Sequence, residues 1–329
     1  MSRHQAVLAA AVASLLLVLG VLAGGVWALD RSGQQATSYA ATRQAAGSSG
    51  PAPASAAPDP SSPASARRGG EQSGVGERSE VAVAGDVATG TAAGGLDAAY
   101  KRELGALSSR SGLAIAPLGG GTPIVLGSQT SGVAWSTIKV PIAVAAAELR
   151  GWRAIEAQAR AAITRSDNDA ARTLWASLGS GRTAAGRVEA VLAAAGDPAT
   201  RVQHKVVRAG YTSFGQTPWA LSAQARVMGG LACRPSAARV VDLMTHVVPA
   251  QRWGLGRWRS APIKGGWGPL ATGRGYLVRQ MGVVPVKGGH AAVALLVKAP
   301  RGFDAGVADA DRIAAWMAKH AAALPGGRC

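Results

Sequence analysis

Apolar and polar positions divide the chain into three stretches of different periodicity. Ala6–Leu29 runs without one ionisable group. At a helical rise of ~1.5 Å per residue, its 24 residues are long enough to cross a bilayer core. From Asp30 to about Gly95 the chain is Ala, Gly, Ser and Pro with scattered charges and no sustained apolar period. Such a stretch cannot bury enough surface to offset its ordering entropy and reads as a tether. Periodicity returns near Leu96. The organisation expected is an apolar segment over 1–29, a linker over 30–94 and a folded domain over 95–329.

Within the third stretch, LDAAYKRELGALSSR has helical spacing. GLAIAPLGGGTPIVLG reads as two short strands joined by a glycine turn. A helix-rich block follows over 136–250. APIKGGW, GYLVRQMGVVPV and HAAVALLVKAP are strand-like, the last two joined by Lys287-Gly288-Gly289, and ADADRIAAWMAKHAAAL closes the chain as a helix. Strands at both ends with helices between them require a sheet completed by distant segments. The pattern predicts an α/β domain of the α+β type, with a mainly antiparallel sheet flanked by helices and a helical subdomain.

Charge changes the picture. Lys+Arg number 35 and Asp+Glu 18 over 329 residues, for a net charge of +17. Residues 1–94 hold six arginines and six acids, so the whole excess sits on 95–329. An apolar content of 48% excludes a wholly disordered chain, and two cysteines exclude a small disulfide scaffold. Arg3 before the apolar run and Asp30-Arg31 after it favour an N-in, C-out anchor, with a signal peptide cleaved after Val26-Trp27-Ala28 as the alternative. Either way the folded part is exported. In that setting Cys233 and Cys329 are expected as a disulfide or as two free thiols. Wall polymers and anionic lipid surfaces are then the expected counter-charges, and nucleic acid is not an expected partner.

Lysine is scarce, seven against 28 arginines, which draws attention to roles that require losing a proton. Ser136-Thr137-Ile138-Lys139 places a hydroxyl and an amine three residues apart, on one face of a helix. A neutral lysine there can take the serine proton, and a helix start favours the developing alkoxide. Ser166-Asp167-Asn168 lies between two helical stretches, where helix capping by Asp167 or Asn168 is the plain alternative. Lys264-Gly265-Gly266-Trp267 ends a strand, and its glycine pair permits close approach of backbone or substrate.

In this order the three motifs resemble the active-site set of class A β-lactamases and penicillin-binding proteins, over roughly 95–329. The resemblance implies a β-lactamase/transpeptidase-like domain with Ser136 as the acylated nucleophile and Lys139 as its base. It implies Ser166 as relay to the leaving nitrogen and Asn168 as the group holding the substrate amide and steadying Lys139. Lys264 would attract a substrate carboxylate and help keep Lys139 neutral. The N–H groups of Ser136 and Trp267 would form the oxyanion hole, with Gly266 beside them. GQTPWALSAQARVMGGLA resembles the family's Thr-Pro helix start, with Thr217 as cap and Pro218 at the first helical position. The implied ligands are a β-lactam or a peptidoglycan stem peptide, with no cofactor and no metal.

Two departures bear on function. The deacylating glutamate of class A enzymes is expected near Val206, yet no Asp or Glu occurs between Asp197 and Asp242. Glu189 belongs to the preceding helix and is a poor substitute. General-base help contributes about 10²–10⁴-fold, so slow deacylation is expected. Gly265 stands where the family has threonine or serine, removing a hydroxyl that binds a carboxylate. Trp267 is placed to narrow the site, and Arg274 or Arg279 to replace the missing anion contact. No Gly-x-Ser-x-Gly elbow is present, and the five histidines form no triad pattern. The expectation is an exported serine acyl-transferase, with a non-catalytic wall-binding or sensing protein as the alternative.

Overall fold

The computed structural model describes residues 83–329; the apolar run 6–29 and most of the linker lie outside them. In chain order the elements begin with α1 (Val83–Leu104), α2 (Ala106–Arg110), β1 (Ser111–Pro117), β2 (Ile124–Gly127) and β3 (Ser131–Val133). A 3-10 turn over Trp135–Ile138 leads into α3 (Lys139–Arg150), followed by α4 (Trp152–Thr164), α5 (Asn168–Ser177) and α6 (Gly181–Ala194). After a long loop come β4 (Pro218–Ala220), α7 (Leu221–Ala232) and α8 (Ala238–Thr245). The chain ends with β5 (Ile263–Pro269), β6 (Tyr276–Val286), β7 (Gly289–Ala299) and α9 (Phe303–Lys319).

Five strands form one sheet in the order β2-β1-β7-β6-β5, and every pair is antiparallel. The apolar run of β7 is buried from Ala291 to Val297, as a central strand covered on both faces requires. β1 pairs with β7 from Ser111↔Val297 to Pro117↔Ala291, so a segment from the start of the domain completes a sheet made at its end. One face packs against α9 through Ile313, Trp316 and Met317. The other carries α7 and, beyond it, the helical subdomain built around α3. α3 is buried along Lys139–Ala146, so its near-continuous apolar sequence marks a core helix. β3 and β4 form a separate two-stranded ribbon.

This is the mixed, mainly antiparallel architecture expected from the sequence, with two local differences. α1 starts at Val83, inside the stretch read as linker, because its N-terminal half carries no apolar stripe to betray a helix. Pro218 does not open a helix: it begins β4, and α7 starts at Leu221 on Ala220 with no side-chain cap. Proline suits an edge strand as well as a first helical turn. Thr217 instead accepts from Gln203 N at 3.0 Å and donates to Phe214 O at 2.7 Å, pinning the loop before β4. Cys233, at the end of α7, is disulfide-bonded to Cys329, with 5.2 Å between their Cα atoms. Among the described residues no helix is long and apolar enough to cross a membrane.

Candidate active site

The Ser136 turn is assembled by backbone contacts from three directions. Ala134 N donates to Thr217 O at 2.8 Å, and Thr137 Oγ1 returns to Ala134 O at 2.6 Å. Trp135 sits at φ 47°, a left-handed conformation costly for a bulky residue, immediately before Ser136. From the third side β5 presses in at Gly266, where a Cβ atom would lie 2.8 Å from Ser136 N and 3.0 Å from Thr137 N. Only glycine lets the strand approach this closely. Ser136 therefore stands in a 3-10 turn just ahead of α3, and Lys139 is the first residue of that helix. The Ser136 hydroxyl is half-buried and makes no hydrogen bond among the described residues.

Lys139 is buried and its ammonium is surrounded by acceptors. Nζ donates to Ser166 O at 2.5 Å, Asn168 Oδ1 at 2.7 Å, Asp167 O at 3.2 Å and Ser166 Oγ at 3.4 Å. Burial draws its pKa down to about 7, against a pull upward from Asp167 and with a push downward from Arg172. Lys264 reaches the same hydroxyl from β5, with Nζ 2.9 Å from Ser166 Oγ and 2.8 Å from Gly265 O. It is fully buried, and burial together with the nearby Lys139 holds it well below the ordinary lysine range. Two amines thus converge on one serine, itself held at φ 59° between α4 and α5. Asp167 takes the capping role, accepting from Ala170 N at 2.8 Å, which leaves Asn168 free to face Lys139.

Strand alternation divides the Lys264 motif between two faces. Lys264 and Gly266 face Ser166 and the Ser136 turn, whereas Gly265 and Trp267 face the α9 side. A Cβ atom at residue 265 would lie 2.9 Å from the Trp253 ring. The hydroxyl missing here is therefore not a simple deletion, since an aromatic ring occupies its space. The Trp267 ring does not narrow the site. It packs on Phe303 and Trp253, with centroids 5.1 and 6.4 Å away, leaving only its backbone on the strand beside Ser136. Lys264, with no exposed surface, meets the site only through Ser166 and cannot itself receive a substrate carboxylate.

Arg279 is not an anion contact either. It is fully buried and donates to Gly132 O at 2.8 Å, Val133 O at 3.0 Å, and Gln224 Oε1 at 2.6 Å, with Trp219 O also within reach. Gln224 Nε2 continues to Thr137 Oγ1 at 2.8 Å. Burial pulls the guanidinium down to about 9. Arg279 and Gln224 thus tie the Ser136 turn to β6 and α7, a role no local motif announces. Its signal in the sequence is the polar pair Arg279-Gln280 inside the apolar run of β6. Gln280 faces the opposite side, fixing Trp253 O and Leu255 N at 2.9 and 2.7 Å. Arg274 is exposed in the β5–β6 connection and makes no ion pair among the described residues.

The loop between α6 and β4 places no carboxylate toward this cluster. Asp197 is buried, capping Ala199 N and Thr200 N and accepting from Trp219 Nε1 at 3.0 Å. Glu189 pairs with Arg182 and accepts from Val202 N. Val206, at the position expected for a glutamate, is 59% exposed, and Val207 is 68% exposed. No metal-binding group of three His, Cys, Asp or Glu occurs among the described residues.

No family model matches the chain, and no curated protein does. Solved structures do. The crystal structure of TLA-3 extended-spectrum β-lactamase superposes with a TM-score of 0.55 at 12% identity, covering 69% of this chain and 98% of that one. An ancestral class A β-lactamase gives 0.53 at 18% identity, covering 68% and 99%. A β-lactamase from Streptosporangium roseum gives 0.52 at 16% identity, again covering 68% and 99%. Residues 83–329 thus adopt a fold similar to that of class A β-lactamases.

Proposed function

We propose that the chain is an exported serine acyl-transferase. It forms an acyl-enzyme at Ser136 with β-lactams or D-Ala-D-Ala-like peptides and releases the acyl group slowly. The observation that carries this reading is the buried Lys139–Ser166–Lys264 cluster beside the Ser136 turn. Burying two lysines around one hydroxyl costs desolvation that an apolar pair would avoid, and such clusters of perturbed groups concentrate at functional sites.

In the proposed reaction Ser136 Oγ attacks the carbonyl carbon and its proton passes to neutral Lys139 Nζ. The oxyanion faces the N–H groups of Ser136 and Trp267. When the carbon–nitrogen bond breaks, the leaving nitrogen takes the Ser166 proton, and Ser166 recovers one from Lys139. Asn168 holds the substrate amide and Lys139 in register. Hydrolysis of the ester then needs a water activated without a loop carboxylate, which makes the second half slow and favours a penicillin-binding or D,D-peptidase role over an efficient β-lactamase.

The same reading places the folded domain outside the membrane, held by the 6–29 segment or secreted after its cleavage. The linker would extend it toward peptidoglycan, and wall polyanions would meet its basic surface. Incubation with labelled penicillin followed by intact-mass measurement tests the core of it. One adduct on the wild type and none on Ser136→Ala is expected; no adduct on either refutes the acyl-transferase reading in favour of a non-catalytic wall-binding protein.

A further inference from the structure

β5 passes the Ser136 turn at Gly266 and continues to Pro269, and the two ends of this track differ in charge. At ~3.3 Å per residue, Lys264 lies about 7 Å to one side of Gly266 and Pro269 about 10 Å to the other. At the Lys264 end both cations, Lys264 and Lys139, are buried and turned onto Ser166. At the Pro269 end stands Arg208, from the loop between α6 and β4, with Nη1 2.8 Å from Pro269 O. Its guanidinium lies over the Tyr211 ring at 4.8 Å, and Tyr211 packs edge-on against Trp135 at 5.2 Å, the residue before Ser136. Arg208 is thus linked both to the strand and to the turn that carry the proposed chemistry.

The arrangement leaves the cation available. Arg208 is half-buried, and among the described residues Nε and Nη2 make no hydrogen bond and no carboxylate pairs with it. No Asp or Glu lies within the 198–241 segment to neutralise it. An arginine stacked on an aromatic face keeps its in-plane N–H groups free for bidentate recognition of a carboxylate. The leaving nitrogen is handled at the Ser166 end, so the acyl portion of a substrate extends toward Pro269.

Resting on the proposed acylation of Ser136, we infer that Arg208 is a specificity-determining residue for acyl donors carrying a carboxylate on the acyl side. Anionic recognition would then sit at the end of the track opposite Lys264. The substrate class is a peptide or lactam whose acyl group bears its own negative charge, and a carboxylate beyond the scissile bond contributes little to binding.

Benzylpenicillin and α-carboxybenzylpenicillin share one ring system and differ in a carboxylate on the acyl side chain. Acylation of the full chain by each, followed by intact mass at low salt, gives a rate ratio. The expected ratio is about fivefold to tenfold in favour of the carboxylated compound, the size of a partly exposed charge-assisted contact. It should shrink at high salt, persist in part in Arg208→Lys and fall to about one in Arg208→Gln. Any general disturbance of the loop alters both rates and cancels in the ratio. A wild-type ratio of one, or a preference that survives in Arg208→Gln, overturns the inference while leaving the acyl-transferase reading intact. Failure of both penicillins to reach Ser136 refutes that reading and this inference together.

Discussion

The polar cluster around Ser166 and the loop from Asp197 to Thr217 lie on the same domain but use their charged groups in opposite ways. In the cluster, Lys139 and Lys264 both reach Ser166, Asn168 faces Lys139, and burial pulls both lysines below the ordinary lysine range. In the loop region the carboxylates of Asp197 and Glu189 are spent on Trp219, Arg182 and backbone N–H groups, and the segment facing outward is Val206-Val207. On the proposed reading, the contrast separates the two halves of an acyl-transfer cycle. Groups suited to forming an ester are assembled and buried, whereas nothing in the loop is prepared to hydrolyse it.

Lys139→Met should have the largest effect on the first half, lowering the rate of penicillin adduct formation by about 10²–10⁴-fold. Wild-type rates in the same stopped time course would break the assignment of the cluster. Gly266→Ala comes next. Its methyl meets Ser136 N and Thr137 N, which belong to backbone and cannot swing aside. Acylation should fall by about 10²-fold from misplacement of the nucleophile, with about 1–3 kcal/mol of stability lost in denaturant unfolding.

The pH profile sharpens the comparison further. Lys139 is lowered to about 7, so its neutral form is lost below that pH. The acylation rate should rise about tenfold per unit below pH 7 and level off above it, and Arg172→Ala should move the midpoint upward by removing a repelling charge. Stability carries the matching sign. An unfolded lysine keeps its proton to about pH 10.4 while native Lys139 has lost it, so unfolding free energy should rise with pH between about 7 and 10. The smallest effect is expected on the loop side. Val206→Glu places a carboxylate at a solvated position rather than against the cluster, so deacylation should change by less than about threefold. A large gain in turnover would show that the loop closes onto the site.

Much of this arrangement is legible in the chain because short spacings fix it. Ser136 and Lys139 lie within one turn, and Ser166-Asp167-Asn168 divides its tasks as capping preference dictates once Asp167 takes the helix start. The central position of β7 follows from an apolar run too continuous for an edge. Other features depend on pairings remote in sequence. Arg279 reads as a spare cation until β6 places it under Gly132 and Gln224. Gly265 reads as a lost hydroxyl until the 253–255 segment, fixed by Gln280, brings Trp253 into its space. Pro218 fits two local structures, and the pairing of β3 with β4 decides between them. Trp267, close to Gly265 in sequence, was expected to narrow the site, but strand alternation turns its ring onto Phe303 and Trp253 instead.

The central claim is that acylation and deacylation are unequally equipped, and one time course tests it directly. Wild-type protein is saturated with penicillin, freed of excess compound, and followed by intact mass. A single covalent adduct located at Ser136, formed on one chain in one and decaying far more slowly than it forms, is the expected result. An adduct that never accumulates while penicillin is steadily hydrolysed would contradict it.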